Sequence, residues 1–172
     1  MPQTLTQSFS QLHVDDQQTR CTTSNEDPCA LVKYHPLPTN WRDIDSYLFY
    51  GWAINDAMCE RYLQRYPDAR RLAASGDPLC PVLWHLEKRV GYFHGRAVTA
   101  KVDGLSPPDR IICSEYGDHY FVLSLSCTKN KSLFRRRPTV KQMKVLAEEF
   151  GEEPRWFTGS STKEEFWQLG YW

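Results

Sequence analysis

No stretch of this chain is long and apolar enough to cross a bilayer. The longest apolar run, Tyr47 to Ile54, gives way at once to Asn55 and Asp56, far short of the roughly 20 residues that a spanning helix needs. The amino end, MPQTLTQSFSQLHVDDQQ, lacks a basic start, an apolar core and a small-residue cleavage site, so it does not read as a secretory leader. Net charge is missing too: 21 Lys and Arg offset 21 Asp and Glu, which predicts no general attraction to acidic partners. The six cysteines form no C-x-x-C pair and the five histidines no H-x-x-x-H pair. Neither a zinc knuckle nor a thioredoxin-type redox centre is therefore expected. A G-x-S-x-G elbow, a P-loop and a dinucleotide fingerprint are absent as well. Together these gaps predict an intracellular chain, cytoplasmic or nuclear, with no membrane contact, no metal and no cofactor. They also rank catalysis behind binding, with no catalytic residue to name.

What is present describes a folded domain behind a polar tail. Hydrophobic residues make up 41% of the chain and aromatics 13%, which excludes a wholly disordered polymer. Residues 1–32 are the exception. They are rich in Thr, Gln, Ser and Asp with scattered apolar positions, too few to offset the entropy of ordering. This segment is expected to be a disordered tail, with residues 33–172 forming one α+β domain. Cys21 and Cys29 fall in the polar segment, whereas Cys59 and Cys113 sit in apolar patterns and are expected to be structural thiols.

Along residues 43–66, DIDSYLFYGWAINDAMCERYLQRY reads as one long helix. Ile44, Leu48, Trp52, Cys59 and Leu63 form one stripe, and Tyr47, Ile54, Met58 and Tyr62 a second, which suits a central helix. A short turn, DARRLAAS, follows Pro67. Asp77-Pro78 is a start signal for the next helix. Leu79, Val82, Leu83, Leu86 and Val90 make its apolar face, and His85, Lys88 and Arg89 its wet one. The period then changes. RAVTAKV, RIICSEY and HYFVLSLSC read as strands, the last two joined by a Gly117-Asp118 hairpin turn. In the third, Phe121, Leu123, Leu125 and Cys127 alternate with Tyr120, Ser124 and Ser126. The expected fold is a small three-stranded antiparallel meander packed against several helices. Pro138-Thr139 opens a further helix, TVKQMKVLAEEF, which Gly151 ends. Ser161 with Glu164, or Thr162 with Glu165, caps a last aromatic helix, EEFWQL.

Charge is segregated along this neutral chain. Residues 96–147 carry ten basic and four acidic side chains, and residues 148–172 two basic and six acidic. From Lys129 to Lys144 there are seven basic residues and no acidic one: Lys129, Lys131, Arg135, Arg136, Arg137, Lys141 and Lys144. Most precede or open the helix that Thr139 starts, where the backbone is already positive, and Glu148 and Glu149 close it, where the backbone is negative. Both placements oppose the helix dipole, at about 0.3–1 kcal/mol each for exposed charges. A bound anion would compensate, meeting the guanidinium forks, the backbone N–H groups and the hydroxyls of Ser132 and Thr139. The competing reading is a solvated loop neutralised by residues 148–153 or 164–165 of the same chain. A peptide-recognised import signal is a third.

The segment RPTVKQMKVLAEEFGEEPRWF resembles the closing helices of the Cro/CI-type helix-turn-helix family, through its Pro-Thr start, Leu146-Ala147, Gly151 and a later aromatic anchor. The helix pair that reads DNA in that family is replaced here by the strands RIICSEY and HYFVLSLSC, so no recognition residue is carried over. A winged-helix arrangement would put Arg110 or Lys101 near a wing, but its third helix would offer only Lys88 and Arg89, beside Glu87, for phosphates. The expectation is thus a non-enzymatic binding module. Its basic 129–144 segment meets a phosphate-bearing or acidic partner, with nucleic acid a candidate. A protein partner is the alternative, docking on Trp156, Phe157, Trp167, Tyr171 and Trp172 at the aromatic carboxyl end.

Overall fold

A computed structural model describes residues 27–72, 79–101, 119–129 and 131–168. Its elements run β1 (Ser46–Ile54), α1 (Asp56–Arg65), α2 (Pro67–Leu72), α3 (Leu79–Val90), β2 (Arg96–Lys101) and β3 (His119–Cys127). They continue with α4 (Lys131–Arg135), α5 (Val140–Phe150), β4 (Arg155–Thr162) and α6 (Lys163–Gln168). The four strands close into an antiparallel barrel in the order β1-β3-β2-β4. The α+β class holds, but the three-stranded meander does not. The middle strand expected from RIICSEY, its Gly117-Asp118 turn and Cys113 lie outside the described residues, and β2 pairs directly with β3. Of the remaining two strands, β1 comes from a segment read as helical and β4 from one with no element expected.

The larger correction concerns residues 43–66. SYLFYGWAI is a strand buried at all nine positions. One face, with Tyr47, Phe49 and Ala53, points into the barrel; the other, with Tyr50, Trp52 and Ile54, packs under the helices. A strand covered on both faces shows no alternation, so its apolar run matches a helical stripe equally well. Asn55 makes the break. Its extended backbone (φ −135°) and its side-chain oxygen, accepting from Met58 N–H at 2.7 Å, cap α1. Before β4, Gly151 with φ 75° ends α5 as expected, and Arg155–Thr162 then runs extended with Phe157 and Gly159 buried. The helix-turn-helix likeness therefore stops at α5, which is followed by a barrel strand. The last cap is the Thr162–Glu165 box: Thr162 N–H donates to Glu165 Oε2 at 2.8 Å and Glu165 N–H to Thr162 Oγ1 at 3.2 Å.

Two apolar layers result. Inside the barrel, Ala53, Ala100, Tyr120, Val122 and Phe157 form one cluster, and Tyr47, Phe49, Cys127 and Phe166 another; Val98 touches both. Outside, β1 and β3 carry the main core beneath α1, α2, α3 and α5. Trp52 is its centre, stacked on Phe150 (centroids 4.9 Å apart, 8° between planes), with its indole N–H donating to the Glu152 carbonyl at 2.8 Å. The expected alternation of β3 holds for Phe121, Leu123 and Leu125 and fails at Cys127. The β1–β3 register passes from Tyr50↔Ser126 to Gly51↔Ser124, so Leu125 is an extra residue and the faces exchange beyond it.

Residues 27–32 also depart from their expected place in the tail. Val32 N–H donates to the Pro138 carbonyl at 3.0 Å, and Leu31 bridges Thr139. Residues 28–32 are thus packed, because the start of α5 supplies this short segment with backbone partners. The rest of the expected tail, including Cys21, lies outside the described residues.

Candidate functional site

The basic segment folds as α4, the connection at residues 136–139 and the start of α5. Its aromatic residue anchors it. Phe134 lies parallel to Trp156 (6.1 Å, 6°) and edge-on to Tyr34 (6.1 Å, 80°). Arg137 folds back over both Tyr34 and Phe134, at 4.9 and 5.3 Å from the ring centroids, and donates to the Val32 carbonyl at 3.4 Å. The Arg136 carbonyl accepts from the hydroxyls of Tyr34 (3.2 Å) and Tyr92 (2.9 Å). Burial holds both phenols protonated, raising Tyr92 to about 12 and Tyr34 further still. The backbone of this segment is therefore pinned, while the side chains of Lys131, Ser132, Arg135, Arg136, Lys141 and Lys144 are exposed. Lys129 is half-buried, with its ammonium 5.1 Å from the centre of the Phe166 ring.

One part of the expected anion site is already occupied. At the start of α5, Val140 N–H donates to the Ala30 carbonyl (2.9 Å) and Lys141 N–H to the Pro28 carbonyl (3.0 Å). Gln142 N–H donates to Thr139 Oγ1 (3.3 Å), and Thr139 N–H to Gln142 Oε1 (2.9 Å). These bonds consume the first-turn donors that a bound anion was expected to meet. The Thr139 hydroxyl oxygen serves as the helix cap. Any anion on this surface is left with side-chain donors.

The acidic end of α5 has a different explanation from the one the sequence suggested. Glu149 is 6% exposed. Its Oε1 accepts from Arg89 Nη1 at 2.6 Å and from the Tyr66 hydroxyl at 2.7 Å, and Oε2 faces Arg65 Nη1 at 3.4 Å. Arg61 reaches its carbonyl at 3.4 Å. Arg65 and Arg89 both lie over the Tyr66 ring, at 5.5 and 4.8 Å. Beside them the Tyr62 hydroxyl and His85 Nδ1 are 3.0 Å apart. Burial raises the Tyr62 and Tyr66 phenols, and the Glu149 carboxylate raises them further. His85 and Arg89, read as the wet side of α3, instead join α3 to α1 and α5. The sequence carried no sign of this, since the partners come from three helices far apart in the chain. Chemically, the cluster neutralises one buried carboxylate and fixes three helices.

This arrangement bears on the basic surface. Among the described residues the ion pairs are Arg65–Glu149, Arg89–Glu149 and Arg71–Asp68. None includes Lys131, Arg135, Arg136, Lys141 or Lys144, and Glu149 spends its charge on α1 and α3. No ion pair among the described residues thus joins this surface to residues 148–153 or 164–165, although Lys144 shares a groove with Glu148, Glu152 and Glu153.

Of the aromatic residues offered as a partner surface, the two whose side chains are described are committed internally. Phe157 is buried in the barrel, 5.7 Å from Tyr120. Trp156 is half-buried and donates its indole N–H to the His35 carbonyl at 2.9 Å. The Trp167 side chain, Tyr171 and Trp172 lie outside the described residues. Among the described residues the exposed large apolar side chains are instead Leu31, Trp84 and Phe93. No group of three His, Cys, Asp or Glu side chains among the described residues is arranged to hold a metal ion. No helix there is long and apolar enough to cross a membrane. No family model matches the chain, and neither a curated protein nor a solved structure is significantly similar to it.

Proposed function

We propose that the chain is a non-enzymatic binding module that engages a phosphate-bearing partner, nucleic acid foremost, through Lys131, Arg135, Arg136, Lys141 and Lys144. One observation carries this reading. Five exposed cations stand on one pinned segment without an ion-pair partner among the described residues, in a chain whose total charge is zero. Arginine forks and lysine ammoniums on a fixed backbone match phosphate oxygens without any ordering of the chain on binding. Phe134 contributes support and not base stacking, since Trp156 and Arg137 lie against it. The contact is thus with the phosphate backbone, which favours weak sequence preference.

Counterion release sets the magnitude. Five phosphate contacts on duplex DNA give a log-log salt slope of about −4.5, or a loss of roughly 10²–10³ in affinity between about 50 and 200 mM salt. Fluorescence anisotropy with labelled single- and double-stranded oligonucleotides measures this directly. The control is the triple variant Lys131→Glu, Arg135→Glu, Arg136→Glu. Arg137 is spared because it holds Tyr34 and Phe134. Steep salt dependence, abolished in the variant, supports the reading. No binding at about 50 mM salt by the folded wild-type protein sinks nucleic acid as the ligand.

A further inference from the structure

The barrel is closed unevenly. Ladders of several residue pairs join β1 to β3, β1 to β4 and β2 to β3, whereas among the described residues β2 meets β4 in the single pair Ala100↔Gly159. One step further, the Thr99 and Ser160 hydroxyls span the seam at 2.6 Å. Beyond that point the seam opens. β2 shows it: Arg96 and Ala97 are exposed and Val98 is half-buried, although Val98 packs against both interior clusters. A cavity of about 340 Å³ occupies the opening.

Its walls are aromatic. Tyr47 and Phe49 come from β1 and Phe166 from α6, with ring centroids 5.2 and 5.7 Å from Phe166. Val98 forms the β2 side, and Thr99 and Ser160 place their hydroxyl pair at one end. Gly159 keeps the β4 side flat: a Cβ there would lie 2.7 Å from Phe49 Cε2 and 3.0 Å from the Tyr47 carbonyl oxygen. No carboxylate or lysine is among the described lining residues. The one charged group, Arg96, has Nη1 bonded to the Gly95 carbonyl at 2.8 Å and near the Phe93 carbonyl at 3.4 Å.

We propose that this seam is a binding site for a small, planar, uncharged aromatic molecule of the phenol or indole kind. Ring faces and edges of Tyr47, Phe49 and Phe166 suit an aromatic body. The hydroxyl pair, able to donate and accept, suits one polar atom on it. The volume falls at the lower end of the range for small-molecule pockets, and the mouth of a β-barrel is a recurrent place for them. The site shares no residue with the basic surface and stands whether or not that surface binds phosphate.

Saturation-transfer NMR with p-cresol, indole and toluene on the full-length chain tests it. Two variants accompany the wild type: Val98→Phe, which fills the cavity, and Ala97→Trp, which covers its mouth from an exposed position. Saturable binding of p-cresol and indole is expected, at least tenfold weaker in each folded variant. Ser160→Ala should weaken p-cresol several-fold while leaving toluene unchanged. Absence of saturable binding to the folded wild type would overturn the proposal, as would equal affinity in Ala97→Trp. A rise in Tm for Val98→Phe without wild-type binding would identify the opening as a packing void. Oligonucleotide binding by Ala97→Trp should equal that of the wild type, which separates this site from the basic one.

Discussion

Substituting Glu149→Gln tests the main internal electrostatic feature of the fold. The change keeps the side chain's shape and removes its charge. Breaking a buried ion pair by taking one partner costs about 3–5 kcal/mol when the other charge is stranded. Here the partners are only partly trapped, because the Arg89 side chain is 31% exposed and that of Arg65 is 58% exposed. The Arg65 contact, long and wet, is worth about 0–1 kcal/mol. The Arg89 and Tyr66 bonds to a charged acceptor are worth about 1.5–3 kcal/mol each. The amide oxygen retains part of both, so the expected loss is about 2–3 kcal/mol. That corresponds to roughly 4–12 °C in Tm for a chain of this size. Urea unfolding followed by circular dichroism and tryptophan fluorescence reads it as a shift of midpoint at constant slope. Arg65→Ala should cost less than about 1 kcal/mol in the same assay. A cycle pairing Glu149→Gln with Arg89→Gln should show a coupling of about 1–3 kcal/mol. Glu149→Gln within about 0.5 kcal/mol of wild type, or Arg65→Ala as costly as Glu149→Gln, would refute the reasoning.

Four further outcomes are expected. At Gly51 a Cβ would lie 1.8 Å from the Leu123 carbonyl oxygen. Gly51→Ala must therefore part β1 from β3 and cost more than about 3 kcal/mol, read as loss of the cooperative unfolding transition. Thr139→Ala removes the acceptor for Gln142 N–H and should cost about 0.5–2 kcal/mol while leaving oligonucleotide affinity unchanged; a loss of affinity would place Thr139 in the contact. Burial lifts the Cys127 thiol from 9.0 to about 11 and the Tyr92 phenol from 10.0 to about 12. Both are acids with raised folded values, so the unfolded chain ionises first. Their stabilisation is complete below about pH 9 and is lost as pH rises to about 12. Urea midpoints should fall across that window, and Cys127→Ala should reduce the fall between about 9 and 11. Under native conditions iodoacetamide should modify exposed Cys29 and spare buried Cys127. Peptide mapping before and after unfolding checks this.

The two readings of the basic segment differ in what their charges do inside the fold. Arg137 is structural, holding the 32–34 strand of chain against α4 through two rings and a carbonyl. Arg135 and Arg136 point outward from the same few residues. A cluster of like charges in a sequence therefore contains both anchors and candidates for ligand contact. Only the folded neighbours of each guanidinium separate them.

Local signals determined a good part of this protein. The helix of Leu79–Val90, the helix opened by Thr139 and closed by Gly151, the strands at 96–101 and 119–127 and the Thr162–Glu165 box were all legible. In each, the cap, the period or the turn residue acts within a few positions of the chain. The exposed basic run was legible for the same reason, being a matter of composition. Tertiary structure decided the rest. Ser46–Ile54 is a strand because helices cover one of its faces and the barrel interior the other, which erases the alternation that marks a strand. The extra residue Leu125 turned Cys127 inward, and register exists only between strands. Glu149 found Arg65, Arg89 and Tyr66 across more than 60 residues of chain or nearly so, through helix packing that no local pattern encodes. The aromatic opening between β2 and β4 arises because, among the described residues, closure of the barrel leaves that seam with a single pair.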